Sequence, residues 1–139
     1  MKTFRRYGIR IPEGWKIKGP HPLCPNCASP HTKTIHLEEP SNLETPYYAA
    51  LAHESMHARL FEKGLPFNCD ENMVEHELKA FVYQLHTVYK RKSKLTMKQL
   101  LNLYSLTASG IIGNRVHQSA SRKLQKSNLW RRCQAFAGE

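Results

Sequence analysis

Two histidines four residues apart, with a glutamate directly after the first, form the segment His53-Glu54-Ser55-Met56-His57. On a helix this spacing places both imidazoles on one face, Cβ atoms about 5–6 Å apart, close enough to share a metal ion. Glu54 points away from that face and does not ligate. It can take a proton from a water at the metal, the division of labour of H-E-x-x-H hydrolases. With eight His and ten Glu in 139 residues, chance alone produces the pattern in about 3% of such chains, so its surroundings must support it.

The surroundings read as a helix. Thr45-Pro46 offers an N-cap and a first-turn proline, and the helix is predicted from Tyr47 to about Lys63, where Gly64 and Pro66 stop it. Ala49, Ala50, Leu51, Ala52, Met56 and Leu60 place the motif on a packed element. A catalytic zinc takes three protein ligands and keeps one open position. A second helix, predicted from Asp70 or Glu71 past Tyr89, offers Glu75 and Glu77, which stand about 200° apart and cannot both face one ion. Glu77 precedes the apolar Leu78, Ala80 and Phe81 and is the preferred third ligand, with His76 as the alternative. Thr96 is the predicted cap of a third helix carrying Leu100, Leu101, Leu103, Tyr104 and Leu106. Leu124, Leu129 and Trp130 can dock the tail as a last helix. Pro and Gly punctuate the first forty residues, where Ile9–Ile11 and Thr34–Leu37 alternate as short strands.

The stretch Ile35-His36-Leu37, then Pro40, then Tyr47-Tyr48-Ala49-Ala50-Leu51-Ala52 leading into the motif, then Glu77-Leu78-Lys79-Ala80, resembles the zincin-type metallopeptidase domain of ArdC-like antirestriction proteins. More distantly it is similar to ImmA/IrrE peptidases. The likeness covers roughly residues 32–85. It implies an α+β zincin-like fold: a small N-terminal sheet, the active-site helix, a following ligand-bearing helix and a helical C-terminal part. It also implies zinc on His53, His57 and Glu77, Glu54 as general base, a phage or mobile-element origin, and residues 32–37 as the edge strand that pairs with an extended peptide. His76 and Phe81 depart from the pattern, which often has acidic residues there, so support for the ligands is expected to be weaker or to come from elsewhere. No segment matches the single-stranded-DNA-binding domain of those proteins. The expected organisation is a domain over residues 1–115 with a basic helix or tail, 116–139, packed on it.

Cys24-Pro25-Asn26-Cys27, flanked by His21 and His31, reads as two unpaired thiols in a Pro-rich loop, or could supply a second, structural zinc site. His86, Tyr83, Tyr104 and His117 are candidate transition-state donors, whereas Tyr47 and Tyr48 read as packing residues.

The net charge of +10 sits in one half of the chain: twelve Lys/Arg face a single acid over residues 78–139, against nine and ten before them. Lys90, Arg91, Lys92, Lys94, Arg122, Lys123, Lys126, Arg131 and Arg132 are therefore candidate nucleic-acid contacts. The remaining expectations are a protein or peptide substrate, no membrane partner and, with no apolar run after the basic first residues, a cytoplasmic location. A zinc-containing nucleic-acid-associated or inhibitory module without protease activity is the alternative function.

Overall fold

A computed structural model describes residues 2–4, 8–38 and 46–138. The protein is α+β and mostly helical, with a small sheet region followed by five helices. Strands β1 (Lys2–Phe4) and β2 (Ile9–Ile11) form an antiparallel pair. Strands β3 (Lys16–Lys18), β4 (Cys27–Ser29) and β5 (Thr34–His36) form a second sheet in the order β3-β5-β4. Strand β5 runs parallel to β3 and antiparallel to β4. It is therefore the central strand and not the free edge expected of residues 32–37, because both sides of its backbone are already paired. The edges of this sheet are β3 and β4, and β4 is the one that packs on the helix carrying the motif.

Helix α1 (Tyr47–Glu62) lies between the sheets and the other helices. Leu51, Ala52 and Ala58 join Ile9, Ile11, Trp15, Ile35 and Leu37 in one core, while Ala49 joins Phe81, Leu85, Val88, Met97, Leu100, Leu124 and Trp130 in the other. A helix covered on both sides reads as apolar nearly all round, as this one does. Pro46 is the cap residue of α1 and not its first helical residue: its ψ of 149° is extended, and its carbonyl accepts from the amides of Ala49 and Ala50. Thr45 and Pro40 lie outside the described residues.

At the other end Lys63 and Gly64 close α1. The Gly64 amide donates to Phe61 O (3.0 Å) and the Leu65 amide to Leu60 O (3.0 Å), the paired bonds of a Schellman turn. Gly64 has φ +86°, where a side chain would be strained. This turn aims the Leu65 carbonyl back at the next helix.

Helices α2 (Asp70–Lys90), α3 (Lys94–Ala108), α4 (Arg115–Gln125) and α5 (Asn128–Gly138) complete the chain. Ser93 caps α3 through its Oγ, which accepts from the amide of Thr96, so Thr96 sits inside the first turn and is not the cap. The tail forms two helices, and α4 packs along α2 and α3, so residues beyond 115 belong to the helical core. Among the described residues no helix is long and apolar enough to cross a membrane.

Candidate metal centre

His53 and His57 leave α1 on one face and meet Glu77 from α2. The Nε2 atoms of the two histidines are 3.2 Å apart. His57 Nε2 is 2.6 Å from Glu77 Oε1, and His53 Nε2 is 3.5 Å from Glu77 Oε2. Ligands bound at 2.0–2.1 Å to a tetrahedral zinc stand roughly 3.3 Å from one another, so the three groups fit one small cation with slight opening of the 2.6 Å contact. Their ligand atoms form the one His/Cys/Asp/Glu group among the described residues gathered at such distances. Glu77 Oε2 is buried with His117 Nε2 at 2.9 Å and His53 Nε2 at 3.5 Å, so positive charge is what this position favours.

The far sides of both rings are fixed. His53 Nδ1 faces the Gln84 oxygen at 3.4 Å, and the hydroxyl of buried Tyr104 donates to that same oxygen. An amide oxygen only accepts, so Nδ1 of His53 carries a proton and Nε2 is the nitrogen turned toward Glu77. Burial, then the Glu77 charge, hold the Tyr104 phenol well above its ordinary pKa, so it stays a donor.

His57 Nδ1 lies 3.0 Å from Nδ1 of fully buried His76, whose Nε2 donates to Leu65 O at 2.8 Å. That donation leaves His76 Nδ1 as an acceptor. His57 Nδ1 must then donate to it, and His57 Nε2 is likewise turned toward the centre. Burial, with the backbone bond and neighbouring charges partly opposing, lowers the His76 pKa, consistent with a neutral ring. His76 therefore stands behind a ligand and is not the third ligand itself. Glu75 turns outward into an i,i+4 ion pair with Lys79 at 3.0 Å.

The charges reinforce one another. Burial opposes a proton on His53, but Glu77 and Glu54 override it and raise the pKa to about 9. Burial would raise the Glu77 carboxyl, yet His53, His117 and His57 hold it well below the usual range. Glu54 is buried beside the pair, and its carboxyl is raised by burial despite the opposing effect of His53 and His57.

Of the four candidate donors, His117 reaches the centre directly: its Nε2 is 2.9 Å from Glu77 Oε2, and its side chain is 39% exposed. Asn114 places it by capping α4, with Oδ1 accepting from the His117 amide at 2.9 Å. Gly113 precedes the cap at φ +79°, and a Cβ there would stand 3.2 Å from Thr107 and 3.4 Å from His117. Tyr104 acts through Gln84. Tyr83 and His86 line a different cleft.

The basic candidates divide between surfaces: Lys90, Arg91, Lys92, Lys94 and Arg132 lie around Tyr89, His86 and Phe136, and others lie elsewhere. Arg122 donates to Ala108 O (2.8 Å) at the end of α3, Arg131 to Asn128, and Lys123 borders a cleft that also holds Asp70 and Glu71. Lys90 and Arg91 share their cleft with Arg10 and Arg59, two residues composition did not single out. Arg91 lies over the Tyr48 ring at 4.4 Å and Arg59 over Tyr83 at 5.2 Å. Lys92 and Lys94 stand over Tyr89 and Phe136, about 6 Å away in both contacts.

The Cys24 and Cys27 thiols lie together, and burial and then the Cys24 neighbour push Cys27 up to about 12. His31 is not beside them: it lines a cleft with Pro30, Phe61 and Phe67, on the far side of the turn.

Comparison of the chain with protein families, curated proteins and solved structures finds no match.

Proposed function

We propose that this chain is a zinc-dependent metallopeptidase of zincin type. The observation that carries the reading is the convergence of two imidazole Nε2 atoms and a buried carboxylate, with Glu54 buried beside them and outside the group. The likeness of residues 32–85 to ArdC-like proteins supports the same assignment. His53, His57 and Glu77 would hold a zinc ion, which would supply a Lewis acid for a carbonyl and lower the pKa of a water to about 7. Glu54 takes the proton of the attacking water and returns it to the leaving amine. His117, on the solvent side of Glu77, is the donor for the developing oxyanion. Strand β4, an edge strand against α1, is the segment on which an extended peptide would align.

The test is cleavage of a mixed peptide library by the zinc-loaded chain, read by mass spectrometry. Cleavage should cease with a chelator and return with added zinc. An uncut library with the metal in place would remove the peptidase reading.

One observation favours a second, compatible role as a nucleic-acid-associated module. Arg10, Arg59, Lys90 and Arg91 line one cleft of about 660 Å³ with Tyr83 and Tyr89, and Arg59 Nε is buried there without a hydrogen-bond partner. Binding to a single-stranded oligonucleotide should weaken with a log–log salt slope of about −0.7 per phosphate neutralised. A flat salt response would rule out phosphate contacts.

A further inference from the structure

We propose that His21, Cys24, Cys27 and His36 form a second metal site, which takes a structural zinc and is independent of the His53/His57/Glu77 centre. The backbone pairs each histidine with a cysteine. His21 and Cys24 face one another across an isolated antiparallel bridge, and Cys27 and His36 are direct partners in the β4–β5 register. Directly opposed residues of antiparallel strands project on the same face, Cβ atoms about 4.5–5.5 Å apart. The two histidine rings meet edge-on with centroids 5.1 Å apart, and all four side chains border one cleft; their donor atoms stand farther apart than those of the His53/His57/Glu77 group, so an ion would have to draw the side chains inward.

The turn between the pairs is a knuckle. Cys27 Sγ donates to Cys24 O at 3.3 Å and Cys24 Sγ to Asn26 O at 3.4 Å, so both thiols are tied to the backbone of the same tight loop. His36 is oriented as ligating histidines are: Nδ1 donates to Gly19 O at 3.0 Å, which leaves the Nε2 lone pair for a metal. His21 Nδ1 accepts from the Leu23 amide at 3.1 Å, so that nitrogen carries its lone pair and ligates by exchanging the amide for the ion. A disulfide would use the two sulfurs and nothing else; the two imidazoles set against them are what a cation needs.

Mixed thiolate and imidazole donors select zinc over hard cations, and four protein ligands leave no position for a reacting water. The role is mechanical. Strands β3, β4 and β5 are three residues each, too short to hold their pairing alone, and a metal tying β4 to β5 fixes the strand that packs against α1.

The test replaces the bound metal of the full chain with cobalt(II) and reads thiolate-to-cobalt charge-transfer absorption together with metal content. Wild type should show the band and two metal equivalents. His53→Ala/His57→Ala should keep the band with one equivalent. Cys24→Ser/Cys27→Ser should lose the band and keep one equivalent. His36→Ala should weaken or abolish the band, and His31→Ala should not. The wild-type spectrum decides even if a variant fails to fold. A cobalt-loaded wild type without the band, or recovery of Cys24 and Cys27 as a disulfide, overturns the site. Loss of the band in His31→Ala but not in His36→Ala overturns the ligand assignment. None of these readouts depends on peptide cleavage, so the two centres stand or fall separately.

Discussion

Replacing Glu54 with glutamine should lower peptide hydrolysis by about 10²- to 10⁴-fold while the His53/His57/Glu77 centre keeps its metal. The substitution preserves shape and removes only the ability to accept a proton. Glu54 is buried on α1 beside both histidines but does not belong to the converging group, so its loss takes away no ligand. Burial raises its carboxyl against the pull of His53 and His57, the direction that a general base working near neutral pH requires. A neutral amide is also cheaper to bury than a carboxylate, so folding should not suffer. The measurement is kcat/KM on a peptide the wild type cleaves, with metal content determined on the same sample. An unchanged kcat/KM would mean that the water is activated elsewhere. A fallen metal content would mean that Glu54 holds the ion in place and that its effect on rate is indirect.

The ligand-bearing helices were legible because their signals are local. Spacing of four residues, the stop at Gly64 and the apolar run after Glu77 all act within one element, and the structure brings His53, His57 and Glu77 together. What supports the ligands was less legible. His76, Gln84 and Tyr104 reach the histidines across helices, and no spacing within α2 or α3 announces a hydrogen bond to α1. His117 could be named as a candidate, but its place depends on the Gly113–Asn114 turn that sets the start of α4. The sheet order misled for a similar reason. Cys27-Ala28-Ser29 carries little strand propensity, so nothing in sequence foretold that β4 would cover β5 and become the edge itself. The same pairing explains why His36 and not His31 faces the cysteines: register across strands, not nearness along the chain, decides which side chains meet.

His76→Leu should weaken zinc binding at the His53/His57/Glu77 centre by about 10- to 100-fold. Ligating histidines usually lean on a carboxylate or a carbonyl, and here a second imidazole takes that place, itself anchored on Leu65 O of the Schellman turn. Leucine fills the space among Phe61 and Phe67 but offers no acceptor, so the His57 Nδ1 proton loses its partner and the ring loses its fixed tautomer. His76→Asn restores an acceptor oxygen close to where Nδ1 stood and should recover much of the affinity. Packing alone predicts the opposite order, because leucine preserves more buried volume than asparagine. Competition with a chelator gives the zinc Kd, and ¹⁵N chemical shifts of the His57 ring report which nitrogen carries the proton. Equal affinity in wild type and both variants would show that His76 is a packing residue. Affinity that follows the acceptor, with the His57 tautomer moving alongside it, would show that the departure at position 76 replaces the acidic support expected there with a neutral relay.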